Sequence, residues 1–185
     1  KLLAADPSIE FVQFVDGDCE IAAGWLDRAA SELAAAQKVA VVCGRRRERF
    51  PGASVYNRLC DMEWNLPAGD IAFCGGDMMA RSAAIQQVNG YDASLIAGEE
   101  PEMCLRLRAA GWIIRGISAE MTLHDAAMLR LRQWWKRNVR AGHAFIEVST
   151  LHRQEPEKFW CKDTRSNWIW GFFVPVILLA LSWPT

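Results

Sequence analysis

Apolar positions along the chain come in short, sharply bounded runs. Phe11, Val12, Phe14 and Val15 form a strand-like stretch that ends on Asp16, Gly17 and Asp18. The following segment, 20–37, is alanine-rich with apolar residues at helical spacing and predicts a helix. VAVVCG (39–44) is a continuous apolar run closed by glycine, the pattern of a buried parallel strand. Strand, helix and strand together predict an α/β unit. RRRERFPG (45–52) then reads as a loop leaving the strand's carboxyl end, the edge where open α/β sheets bind ligands. Its four arginines suit a solvated loop first and phosphate contacts second.

Further along, 53–65 predicts a helix. Residues 69–92 give a short strand, a break at Gly75-Gly76, a second strand-like stretch and a helix capped by Ser82 that stops at Asn89-Gly90. The segment 99–111 is the clearest helix. Pro101 suits its first turn, Glu102 and Arg106 stand at i,i+4, and Gly111 ends it. WIIRGI and EMTLH follow as two strands, and 128–146 as a basic helix rich in tryptophan. A polar, basic connector (147–167) leads to an uncharged stretch, 168–184.

Composition narrows the picture. The chain has 185 residues, 51% of them hydrophobic, enough for one domain with a real core. A net charge of −1 gives no global basic field, so no nucleic-acid partner is expected. Six cysteines without a Cys-x-x-Cys pair argue for buried, reduced thiols in a cytosolic setting and against a zinc module. Trp134, Trp135, Trp160, Trp168 and Trp170 crowd one region, with Trp183 near the end. The stretch 168–184 reaches the lower bound of about 17 apolar residues for crossing a bilayer. Lys158, Lys162 and Arg165 would hold its start on the cytoplasmic side. The expected location is therefore the cytoplasmic face of the plasma membrane, with a buried helix kinked at Pro175 as the alternative.

Three groups of residues carry candidate chemistry, each beside a plainer reading. Asp16 and Asp18 are either a turn, since Asp-Gly favours one, or two carboxylates converging on a divalent cation. Glu99, Glu100 and Glu102 either complement a helix start or supply a general base whose pKa its neighbours raise. His124, at a strand end, is either a satisfied polar residue or a third metal ligand. Between 128 and 153 stand six Lys/Arg and one Glu. That stretch fits a helix lying on anionic lipid, or Lys136 or Arg137 reaching a diphosphate.

The order of these signals is more specific than any one of them. FVDGDCEI, then AFCGGDMMARSAAIQQVNGYDASLIAGEEPEMCLRLRAAGW, then a strand ending in His124, then QWWKRNVRAG resembles the second half of a family 2 glycosyltransferase of the GT-A fold over roughly residues 1–145. The resemblance implies that Asp16 and Asp18 hold a divalent metal ion (manganese or magnesium) and the donor diphosphate. It implies that Gly75, Gly76 and Asp77 shape the donor–acceptor pocket and that Glu100, or else Glu99, is the catalytic base. Gln133 and Trp134 fall in a loose version of a Gln-x-x-Arg-Trp motif that lines the same pocket, and QWWKR departs from it enough that processivity is not implied.

The fold class expected is α/β: a partial GT-A (Rossmann-like) mixed sheet flanked by helices, then a hydrophobic C-terminal helix. The domains expected are 1–146 (carboxyl-terminal part of the catalytic domain), 147–167 (connector) and 168–185 (membrane segment). The implied reaction is inverting transfer of a sugar from a nucleotide-sugar donor to a lipid or saccharide acceptor, in cell-surface polysaccharide or glycolipid synthesis. The alternatives are an inactive membrane-bound fragment and a metal-dependent phosphotransferase. Family members bind the nucleobase ahead of the Asp-x-Asp motif, and only fifteen residues precede Asp16. Most of the nucleotide-binding half is therefore expected to be missing.

Overall fold

The computed structural model describes Asp6 and residues 8–182. In chain order its elements are β1 (Phe11–Phe14), β2 (Cys19–Ile21), α1 (Trp25–Ala35), β3 (Val39–Glu48), α2 (Val55–Glu63), β4 (Gly69–Ile71), β5 (Met78–Arg81), α3 (Ser82–Gln87), α4 (Glu99–Ala109), β6 (Ile113–His124), α5 (Leu131–Leu151), α6 (Cys161–Trp168), a π-helical turn (Ile169–Phe173) and α7 (Val174–Ser182). Trp183 and Pro184 of the apolar tail lie outside the described residues.

The sheet is mixed, with order β1-β5-β3-β6-β2 and β4 paired to β6. β5 runs antiparallel to both β1 and β3, while β3 and β6 are parallel. The carboxyl ends of β1, β3 and β6 therefore share one edge. The apolar run 39–43 of β3 is fully buried, as a strand covered on both faces must be. α1 closes one face with Trp25, Ala29 and Leu33, spaced by four and all buried. Gly44 sits where β3 and β6 fall out of register, and a β-carbon there would lie 2.5 Å from the Ala119 carbonyl. The fold is the expected α/β sheet flanked by helices, ending in an apolar helix.

Several boundaries differ from the sequence reading. β3 continues through Arg45, Arg46, Arg47 and Glu48 instead of becoming a loop at 45. The strand survives its charges because Arg45 and Arg47 both reach Asp61 on α2, and Arg47 also reaches Glu120 across on β6. Residues 20–24 belong to β2 and a turn, with α1 starting only at Trp25, because Cys19–Ile21 pairs with β6. WIIRGI and EMTLH form one strand of 12 residues. Ser82 is the first residue of α3 and makes no cap. The helical reading of 99–111 holds: Glu102 and Arg106 pair at 2.6 Å, Gly111 has φ +89°, and Arg106 also donates to the Val88 and Gly90 carbonyls.

The chain divides into two compact units, 1–92 with 99–134 and 93–98 with 135–185. The first holds the sheet. In the second, Ala144 and Val148 of α5 pack against Gly98, which is closed over by Trp160. Trp160 stacks on Phe159 and meets Phe145 edge-on. Cys161–Ser182 runs as one helix of 22 residues, apolar and long enough to cross a membrane, and none of its apolar window is buried. Its π turn lies just ahead of Pro175, whose ring cannot sit against an unperturbed preceding turn.

Candidate functional site

β1 ends at Phe14, and the chain turns at Asp16–Cys19, where the Cys19 N–H donates to the Asp16 carbonyl at 3.0 Å. The following strand, β2, pairs with β6 and not with β1, so the Asp-Gly-Asp turn is no hairpin. It delivers its two acids to the shared carboxyl edge of β1, β3 and β6. Cys19 lies opposite His124 in register, which brings His124 Nε2 to 3.3 Å from Asp18 Oδ2.

Asp16 is held from beneath. Its backbone N–H donates to Asp77 Oδ1 at 2.8 Å. Arg46, from β3, places Nη2 2.9 Å from Asp16 Oδ2 and Nε 2.9 Å from Asp77 Oδ2. Thr122, Arg46's register partner on β6, donates its hydroxyl to Asp77 Oδ2 at 2.5 Å. Asp77 is fully buried, so its carboxylate supports Asp16 from within the protein. Gly76 closes the side of Asp16: a β-carbon there would lie 2.6 Å from Asp16 Oδ1. Gly75 has more room, its nearest neighbour being the Arg46 guanidinium at 4.0 Å.

The candidate base comes from the first turn of α4, where Glu99 and Glu100 are both half-buried. Burial raises the Glu100 carboxyl above the ordinary carboxylate range, and the charges of Glu99 and Asp16 raise it further against the pull of Arg46. Tyr91 responds to the same group. Burial and the Glu100 charge push its phenol up, and its ring meets Phe14 edge-on at 5.6 Å. Trp64 completes this edge, edge-on to His124 at 4.7 Å and under the Arg46 guanidinium at 5.6 Å.

Gln133 has its amide committed locally. Oε1 accepts from the Leu129 and Arg130 N–H groups, and Nε2 donates to the Ala127 carbonyl, fixing the start of α5. Trp134 packs its ring against Tyr56 of α2 at 6.1 Å. Lys136 and Arg137 lie on α5 within the second unit, Lys136 exposed and Arg137 half-buried.

Among the described residues, two clusters bring potential metal ligands within 4.8 Å: Asp18, Cys19 and His124, and Asp16, Cys19 and Asp77. The chemistry of the donors separates them. Asp77 and one oxygen of Asp16 are already engaged by Arg46. The Cys19 thiol is pushed up to about 12 by burial and its contact with Asp77, and sulfur is a soft donor that suits manganese or magnesium less than carboxylate oxygen does. Asp18 is exposed, and its 3.3 Å separation from His124 matches the roughly 3 Å between adjacent ligands of a small divalent ion. Asp18 and His124 fit two adjacent positions around such an ion, whereas Asp16 falls in the other cluster, with Cys19 and Asp77.

Arg46, Thr122, Tyr91 and Trp64 were not singled out as site residues by sequence. Arg46 was masked by its run of arginines. The one available signal was strand alternation, which turns Arg46 to the opposite face from Arg45 and Arg47.

No family model matches the chain. It is 25% identical over 154 residues to the pre-mycofactocin glycosyltransferase of Mycobacterium tuberculosis strain CDC 1551 / Oshkosh, and equally to that of strain ATCC 25618 / H37Rv. Each match covers 77% of this chain and 32% of the relative. The chain thus spans about a third of the length of the curated relatives it matches.

Proposed function

We propose that this chain is part of a glycosyltransferase that moves a sugar, with inversion, from a nucleotide-sugar to an acceptor hydroxyl on a lipid or saccharide. One observation carries the reading. Asp18 and His124 lie 3.3 Å apart at the sheet edge that also carries Asp16, and Glu100, the acid whose pKa burial raises, feels the charge of Asp16. The order of motifs resembling family 2 glycosyltransferases and the 25% likeness to a glycosyltransferase support it.

In this account Asp18 and His124, with Asp16 beside them, would hold a divalent cation, manganese or magnesium, which when bound would supply positive charge to the nucleoside diphosphate. Arg46 keeps Asp16 turned toward that edge. Glu100 accepts the acceptor's hydroxyl proton as the oxygen bonds to the anomeric carbon and the bond to the diphosphate oxygen breaks. Glu99 holds Glu100's proton affinity high enough for that transfer. Gly76 lets the chain close against Asp16, Gly75 leaves space next to it in the donor–acceptor pocket, and the buried Asp77 supports Asp16 from beneath. Gln133 and Trp134 are assigned to the pocket, and Lys136 and Arg137 to the diphosphate, by the resemblance alone. The apolar helix Cys161–Ser182 anchors the protein at the cytoplasmic face of the membrane, where a lipid-borne acceptor would be met.

Transfer from a labelled nucleotide-sugar by membranes carrying the intact protein tests this reading. Activity that requires a divalent ion and is lost in Glu100→Gln, with donor binding retained, supports it. Metal-independent activity, or phosphate transfer in its place, contradicts it.

A further inference from the structure

We propose that α5 is a second membrane contact, a helix lying in the headgroup layer of an anionic bilayer. The inference rests on reading the Cys161–Ser182 helix as membrane-bound. Along α5, Leu131, Trp135 and Val139 recur every four residues and Ile146 follows seven later, so they line one face. All four are exposed, Trp135 at 62% and Val139 at 57%. Arg132, Lys136 and Arg140 repeat at the same spacing one residue on, placing an exposed basic stripe alongside the apolar one. Ala144 and Val148 take the opposite face and are buried, so the helix is already docked on its other side.

A stripe of Trp, Leu, Val and Ile flanked by Arg and Lys is what an interfacial helix presents: apolar side chains at the acyl boundary and cations at the phosphates. Charge decides between occupants. Six Lys/Arg stand against one Glu between 128 and 153, although the whole chain carries −1. An anionic headgroup layer complements that local excess. Proximity in the chain adds to it, since only 152–160 separate α5 from the apolar helix, none of whose apolar window is buried. The lipid contacts proposed are therefore phosphates of anionic lipids at Arg132, Lys136 and Arg140, with Trp135 at the level of the glycerol backbone.

The test uses the whole chain in lipid nanodiscs made from phosphatidylcholine alone or with phosphatidylglycerol, each with brominated acyl chains as quencher. The signal of Trp135 is the difference between wild type and Trp135→Phe. Bromolipid quenching of Trp135 that is stronger with phosphatidylglycerol, weakens with salt and is lost in R132E/K136E/R140E supports the inference. Single Lys136→Glu, at an exposed position, should give a partial loss and guards against misfolding of the triple variant. No quenching of Trp135 in either disc overturns it, as does quenching indifferent to lipid charge and to charge reversal. Shielding of Trp135 from both bromolipid and aqueous acrylamide also overturns it, in favour of a protein covering this face. Trp170→Phe separates the two readings. Quenching at Trp170 without quenching at Trp135 removes only this inference, and quenching at neither removes the membrane reading as well.

Discussion

Arg46 bridges Asp16 and Asp77 with two 2.9 Å contacts, from Nη2 and Nε respectively. The bridge joins an exposed edge to the interior: Asp16's side chain is 44% exposed and Asp77's is 0%. An acid that must meet a ligand is thereby oriented by one that never leaves the core. Removing the cation leaves Asp77 buried without its counter-charge, a loss that typically costs about 3–5 kcal/mol. Arg46→Met should therefore lower stability by that order in urea unfolding, and Asp77→Asn in the same background should restore much of it.

Gly76→Ala tests the close approach on the other side of Asp16. The added methyl would lie 2.6 Å from Asp16 Oδ1, so either the loop or the carboxylate has to move. Overpacking of this kind costs about 1–3 kcal/mol. Donor and metal binding should weaken beyond what the stability loss explains, whereas Gly75→Ala, with 4.0 Å to its nearest neighbour, should bind nearly as wild type. Calorimetric titration of both variants makes the comparison.

Glu100 sets the expected pH behaviour. Its carboxyl is raised by burial, then by Glu99 and Asp16, and it acts as a base only when deprotonated. The acid limb of kcat/KM should accordingly fall at higher pH than for an ordinary carboxylate. Glu99→Gln removes a negative charge that raises Glu100, so that limb should move to lower pH while activity persists. Glu100→Gln should slow transfer by roughly 10²–10⁴-fold with the fold intact. Loss of activity in Glu99→Gln but not in Glu100→Gln would exchange their roles.

Deleting the chain from Trp168 onward should move the protein from the membrane pellet to the soluble fraction. A remainder that leaves the pellet at high salt would be held by α5, whose attachment is electrostatic and screened. Pelleting of the truncated protein that resists salt would contradict anchoring by this helix.

The strand ends at the site were legible in the sequence because the apolar run 11–15 stops at Asp16 and EMTLH reads as a strand ending on His124. α4 was legible because Pro101, the Glu102–Arg106 spacing and Gly111 all agree on its limits. β3 beyond Gly44 was not, since propensity reads RRRE as a loop and only pairing with β6 and the acids Asp61, Asp77 and Glu120 makes it a strand. The same blindness hid Arg46. A buried ion pair between residues 31 apart in sequence leaves no local pattern, and neither does Thr122's hydrogen bond to Asp77. Gln133 shows the converse, since a motif position can also be explained by three hydrogen bonds to its own turn.

The central claim, a divalent-ion site built on Asp18 and His124, is tested most directly by manganese titration followed by electron paramagnetic resonance. The account predicts that wild-type protein removes manganese from the free-ion spectrum with one-to-one stoichiometry. It predicts that Asp18→Ala and His124→Ala each weaken this binding at least tenfold, while Asp125→Ala, beside the site in sequence, leaves it unchanged. Equal manganese binding by wild type, Asp18→Ala and His124→Ala would show that these side chains are only a turn and a strand end, and would contradict the account.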